Sequence, residues 1–561
     1  MLTWFFYKLF SGRIVMVKRI LTLTILSLFS SLIITCSNNT GPISRNHTEL
    51  VNLYHDWRTF QSDVFTDGIP DYSEERMKNQ YNTFPLYHKR LLNFDTTGWS
   101  VPHQIDYRLV QAEMNGLKFD HEVIQPWKRF PGFYNTVWDY QSDTPAHEGT
   151  SHHGLIELWQ YDYPLSSTDG EKMAKSLLAV PPFLLQAKEN LTGNARDLWR
   201  GGIRKMKSQS NALKKLDEKT KDSSVELTVA IEEAKKATDD FIEWLEMMLP
   251  LKDGPSGIGK DNYNWYIKNV HFVPYTWKEI ETMMRRELAR SQSSLILEEH
   301  RNRNLPKLKP MASKREFDRR MNAAVTEYIK LLDESDIVTV EDYFDLAIRE
   351  RVGEYSSKEP REFFSEVNYH DPMIMRTHSY HWIDLALMRE KPHPSPIRSN
   401  PLLYNIWDNR SEGLATAMEE MMMHAGLFDN HPRSKELFHI LTAQRAARAL
   451  GDLYMHANEW DIDKAVQFTS KWTPRNWLRE DGNTVIGEQF LYLQQPYYGT
   501  TYLTGKILIE WLLAERAMQL GDKFTLKGFM DEINTIGLIP ATLMHWEMTG
   551  NPDFLDGHMD R

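Results

Sequence analysis

A single cysteine stands in the 561 residues, at position 36. One thiol forms no intrachain disulfide, no multi-thiolate metal site and no cysteine pair, so chemistry elsewhere in the chain must come from His, Asp, Glu, Tyr, Ser or Lys. A surplus of positive charge is missing as well. Lys and Arg number 66 against 77 Asp and Glu, a net charge of −11, and no basic stripe interleaved with aromatics is found. Nucleic acid is therefore not an expected partner. Alternating strand patterns are few and short, which leaves room for at most a small sheet. No internal repeat or low-complexity block divides the chain. Disorder over most of its length is ruled out by what is abundant: 17 Trp, 24 Tyr and a 41% hydrophobic share, far more aromatic residues than a disordered chain carries.

From Met16 the sequence reads "MVKRILTLTILSLFSSLIITC", with a basic start at Lys18 and Arg19, an apolar run, and then Cys36. The run is shorter than the roughly 20 residues that span a bilayer, so residues 1–35 read as a secretory signal with Met16 as the true start. "LIITC" resembles a bacterial lipoprotein signal, in which the cysteine becomes the lipidated first residue. An uncleaved anchor helix is the alternative. Residues 36–50, polar with Gly and Pro, read as a tether. The expected location is the bacterial cell envelope, with the chain held to a membrane through an N-terminal lipid.

Beyond the tether, residues 51–561 read as one large helical domain, because apolar residues recur at spacings of three and four almost throughout. The charged stretch Lys205 to Asp240 reads as a long, solvated, peripheral helical hairpin. "GPSGIGKD", Gly254 to Asp261, fits a phosphate-loop pattern up to the lysine but ends in Asp261 where Ser or Thr must hold magnesium, and it follows a helical pattern rather than a strand. Nucleotide binding is rejected. The turn is expected to lead into an extended segment, "NYNWYIKNVHF". "HEGTSHH", His147 to His153, places Ser151 where a helical zinc motif needs its second histidine. A polar loop near a cleft is the bland reading beside the metal one.

The C-terminal third, residues 370–545, carries more. His378 and His381 lie three apart at the start of a predicted helix. Glu412 and Glu419, seven apart in "EGLATAMEE", share one helical face. In "RAARALGDLYMH", Arg445, Arg448, Asp452 and His456 fall at offsets 0, 3, 7 and 11, one polar stripe on a helix otherwise built of Ala and Leu. For the two arginines a salt-bridge ladder between helices is the favoured reading. For Asp452 and His456, orientation of the imidazole by the carboxylate is equally open. Two helical histidines followed by a glutamate on a second helix make a workable zinc arrangement with one position left for water. Ser379 stands where the usual base would follow the first histidine.

These pieces together resemble the bacterial domain-of-unknown-function 885 family, whose members are often exported as lipoproteins. "EGLATAMEE", "RAARALGDLYMH" and "PYYGTTYLTGK" are similar to its E-G-W-A-x-Y-x-E, R-x-x-R-x-x-x-D-x-x-x-H and P-G-Q-A-x-x-Y-x-x-G motifs, over about residues 50 to 545. The resemblance implies a mainly α, zincin-like (metallopeptidase-like) fold with a deep cleft, and a zinc-dependent hydrolase acting on an amide or peptide-like bond of a peptide-like or small-molecule substrate. His378, His381 and Glu412 are then the metal ligands; Glu419, His456 and Tyr502 the catalytic candidates; Arg376, Asp452 and Tyr498 the substrate-binding ones. The family's H-E-G-x-P-G-H motif is altered here. Met375 takes the place of its first histidine and Arg376 that of its glutamate, while His381 keeps the second histidine. Either His378 replaces the lost ligand, or the site no longer binds metal, with Arg376 paired to Glu412 or Glu419 in place of the cation. A catalytically silent relative that binds peptides or envelope fragments is the alternative function.

Overall fold

The computed structural model describes residues 44–66, 68–146 and 156–556. Cys36 with its signal, and the His147–His153 motif, lie outside the described residues. The described part of the chain is mainly helical, with two-stranded pairings at Phe65–Thr66 with Ile69–Pro70 and at Val137–Trp138 with Ile156–Glu157 as its only named sheets. No described helix is long and apolar enough to cross a membrane.

Ordered structure begins earlier than residue 51. The first described helix spans His47–Gln61, capped by the Asn46 side chain, and Asp95 donates its backbone N–H to the Ser44 carbonyl. The last residues of the expected tether are thus folded onto the body.

The core around the C-terminal third is built from four helices. Trp277–Arg301 packs along Ser434–His456, Asp408–His424 packs along Tyr498–Leu520, and Ser434–His456 also meets Tyr498–Leu520. A glycine pair sets the closest crossing. A Cβ on Gly413 would stand 2.6 Å from the Gly505 backbone, and one on Gly505 would stand 2.2 Å from the Asn409 carbonyl oxygen. Without side chains at both places the two helices touch backbone to backbone. This brings Glu412, beside Gly413, against the first turn of the helix that carries Tyr498 and Tyr502.

The hairpin is present as helices Arg196–Lys219 and Val225–Met248, but it is not peripheral. Met206, Leu213, Leu216, Leu227, Ile231 and Ala234 are buried in the main hydrophobic cluster, because the helices Ser167–Leu177 and Val180–Asn190 cover its apolar stripe. The "NYNWYIKNVHF" segment is also corrected, since Lys260–Asn269 is helical. Tyr263, Tyr266, Ile267 and Val270 are all buried, which is an i, i+3, i+4, i+7 face hidden in a run of residues that favour strands. The turn before it is pinned rather than free: Gly259 donates its N–H to the His456 carbonyl at 2.8 Å and Gly257 donates to Asn458 Oδ1 at 2.9 Å.

Candidate metal centre

His378 and His381 do not share one helix. Met373–His378 ends at His378, Ser379 breaks the run, and Tyr380–Glu390 begins the next. The break still turns both imidazoles toward the Asp408–His424 helix. One ligating atom from each of His378, His381 and Glu412 falls within 4.8 Å of the other two. His381 Nε2 stands 2.9 Å from Glu412 Oε2, and His378 Nε2 stands 3.9 Å from the same oxygen.

The outer atoms of these groups are each held. Glu419 Oε1 lies 3.1 Å from His378 Nδ1, Ser411 Oγ lies 3.0 Å from His381 Nδ1, and the Tyr498 hydroxyl donates to Glu412 Oε1 at 2.5 Å. Each ring is fixed through Nδ1, so Nε2 is the atom turned inward. His381 Nε2 and Glu412 Oε2 face each other at 2.9 Å as a buried ion pair, with no further partner for either atom. Imidazole nitrogen and carboxylate oxygen are both metal ligands, and a pair held together by a proton can exchange that proton for a metal ion. Imidazoles oriented through their second nitrogen are the usual surroundings of a metal-binding histidine. The residues present therefore fit a divalent transition metal with nitrogen and oxygen ligands, zinc among them.

Electrostatics agree with a site built to hold positive charge. For Glu412 burial works upward, but His381, His378 and the Tyr498 hydroxyl bring its carboxyl down to about 2. Burial likewise lowers the His381 imidazole, yet Glu412, with Asp143 and Asp384 beyond it, outweighs this and raises it to about 9. His378 is lowered, first by burial and then by the Arg445 guanidinium.

Several expected roles change. Glu419 sits on the far side of His378 from the cluster, and both its oxygens are taken by Arg445, at 2.7 Å each, so it orients a ligand and is not placed as a base. Arg376 does not pair with either glutamate. Its Nη2 donates to Asn368 Oδ1 at 3.3 Å while Nε and Nη1 are buried without a partner, and burial lowers it to about 10. A guanidinium does hold Glu419, but it is that of Arg445. Arg448 pairs with Glu488, so the expected ladder is present for both arginines. His456 lies apart from the cluster, its Nε2 donating to the Tyr492 carbonyl at 2.9 Å. Asp452 accepts the Thr500 backbone N–H at 3.2 Å and caps the start of the Tyr498–Leu520 helix. The Tyr498 hydroxyl is engaged by Glu412. Tyr502 remains at the site, its ring 6.3 Å from that of His378 and 4.1 Å from the Arg448 guanidinium carbon. Sequence reasoning did not reach Ser411. A serine beside Glu412 carries no signal of its own, and only its pairing with His381 across two helices shows its role.

Comparison with known proteins bears on the whole chain. The model of a family of bacterial proteins of unknown function, DUF885, matches residues 57–340 and 381–548. The chain belongs to that family. The DUF885 match lapses over residues 341–380 and resumes at His381, so His378, Met375 and Arg376 all stand in the unmatched stretch. Two solved structures share the fold. One, from Shewanella oneidensis, is described as a candidate lipoprotein of unknown function; it is 14% identical with a TM-score of 0.67 and covers 90% of this chain and 100% of its own. The other, a candidate lipoprotein from Colwellia psychrerythraea, is 16% identical with a TM-score of 0.65 and covers 91% of this chain and 99% of its own. Comparison with curated proteins gives no match.

Proposed function

We propose that this DUF885 protein is an envelope-anchored, metal-dependent hydrolase acting on an amide or peptide-like bond, with zinc held by His378, His381 and Glu412. The reading includes a zincin-like cleft around that site and a lipid on Cys36. The observation that supports it most is the convergence of one ligating atom from each of His378, His381 and Glu412 within 4.8 Å of one another. A bound zinc would supply Lewis-acid polarisation of a carbonyl and a water of lowered pKa. The chain's own residues orient and exclude water. Ser411 and Glu419 fix the two rings, Arg445 keeps Glu419 ionised, and Tyr498 fixes Glu412. In this reading Tyr502, its ring near that of His378 and against the Arg448 guanidinium, would donate to a developing oxyanion. The lipidated location rests on the "LIITC" signal and on the descriptions of the two structural neighbours.

One specific observation favours a second reading. With Arg376 where the family carries its base and Glu419 locked by Arg445, no described glutamate is placed as a base beside the ligands, which suits a silent relative that binds peptides or envelope fragments. Metal analysis of protein purified without chelator, followed by a peptide-library cleavage assay with and without added zinc, separates the cases. About one equivalent of metal and chelator-sensitive cleavage supports the hydrolase. Metal with peptide binding but no cleavage assigns the silent relative, and wild-type protein that takes up no metal overturns the site.

A further inference from the structure

A second cavity, of about 440 Å³, opens among the helices of the N-terminal half and the segment that leads into the Asp408–His424 helix. None of the three candidate metal ligands lines it, so it stands apart from the site above. Its volume is that of a small-molecule pocket. Met77, Leu117, Phe133, Leu402 and Leu403 give it apolar walls. Polar residues line it too, Asp63, Asp71, Arg76 and Gln80 among them, and Asp120 and Trp127 stand out. Asp120 is 7% exposed, and no described residue forms an ion pair or side-chain hydrogen bond with its carboxyl. Trp127 is 6% exposed, and its indole N–H is buried without a partner.

An unpaired carboxyl in a largely apolar cavity and an unpaired N–H buried in its wall are each costly. The backbone around them is strained as well. Tyr404, Asn405 and Gln125 all have positive φ without being glycine, and Asp120–Ile124 forms a π-helical turn. The Tyr404 ring fits only because Gly116 lacks a side chain, since a Cβ there would stand 2.3 Å from it. Strain of this kind gathers where a backbone is held for a ligand.

We propose that this cavity binds a small amine that also carries a carbonyl oxygen and an apolar side chain: a free amino acid or the amino end of a short peptide. The ammonium meets the Asp120 carboxylate, the carbonyl oxygen accepts from Trp127 Nε1, and the side chain lies against Leu117, Phe133 and Leu402. Burial holds Asp120 up at about 8 when nothing faces it, as expected of a carboxyl awaiting a cation.

Titration calorimetry of the full exported chain with L-leucinamide and with 4-methylpentanamide, which lacks only the amino group, tests this. Leucinamide should bind at least about 10-fold more tightly, the order of a charge-assisted hydrogen bond. Asp120→Asn should abolish that preference, and Trp127→Phe should weaken both ligands several-fold. The wild-type comparison needs no variant to fold. Equal binding of the two amides to wild type, no binding of either, or an amine preference that survives Asp120→Asn overturns the proposal. Free leucine separates the sources: tighter binding than leucinamide assigns a free amino acid, and weaker binding assigns a peptide end. Photolabelling with a diazirine-bearing leucinamide should mark peptides containing Met77 or Leu117, and labelling confined to other segments would place the amine elsewhere.

Discussion

Two groups of buried histidine and carboxylate sit in the C-terminal third, and they differ in what their nitrogens do. At His378, His381 and Glu412, each Nδ1 is engaged from outside while the inward atoms converge. At Asp452 and His456 the nearest approach is 3.5 Å, and each group turns to backbone: His456 to the Tyr492 carbonyl and Asp452 to the Thr500 N–H. Asp452 Oδ1 and His456 Nδ1 have no hydrogen-bond partner, and no third ligating side chain among the described residues joins them. Both groups look alike on a helical wheel. The first gathers three ligand atoms around one point, whereas the second ties the end of one helix to the start of another. Site character therefore lies in whether ligating atoms converge, not in residue type or spacing.

The largest effect should come from removing an inward ligand. His381→Ala should lower zinc affinity by more than about 100-fold, beyond the loss expected from a supporting partner, while His456→Ala leaves zinc content unchanged; both are read by metal analysis after dialysis. Equal metal loss in the two variants would erase the distinction. Next comes Arg445→Met, which leaves the buried Glu419 carboxylate with only His378 beside it and should destabilise the fold by about 3 kcal/mol in denaturant melts. Glu419→Gln should be milder. The amide still accepts from His378 but no longer carries charge, so zinc affinity should fall by about 10- to 100-fold with the fold retained. Unchanged zinc affinity in Glu419→Gln would show that His378 is not a ligand.

Much of this was legible in the chain. The helical period, the scarcity of strands and the two-arginine ladder follow from spacing, because a helix fixes which residues share a face, whereas His378, His381 and Glu412 meet from three separate helices. What spacing does not give is direction across helices. Glu419 shares a face with Glu412, yet which side of His378 it meets depends on the break at Ser379, where a short loss of helix reorients the ring. Arg376 reads as a substitute cation from its motif position, but Arg445 reaches Glu419 first from a helix much further along the chain. The Lys260–Asn269 helix was hidden by aromatic residues that favour strands, and the Asp120 cavity left no mark because its walls come from distant segments.

The smallest effect tests the structural member of the comparison. Burial raises the Asp452 carboxyl well above its usual range, against the backbone N–H groups of Thr500, Tyr497 and Gly499. The folded chain then holds a proton that the unfolded chain releases above about pH 4, so this group's contribution to stability falls as pH rises beyond that point. Asparagine keeps an oxygen for the Thr500 N–H and has no proton to lose. Asp452→Asn should thus match wild type in denaturant melts near pH 4 and become the more stable of the two at pH 8, by an amount within about the usual 1 kcal/mol scale of a single substitution. His456 does not confuse the reading. Its imidazole is pushed down by burial to about 4, so it loses stability only on the acid side, between about pH 6.5 and 4, and it does so in both proteins. A variant less stable than wild type at pH 8 would mean that Asp452 is ionised in the fold, and that this pair is held by charge instead of by its backbone caps.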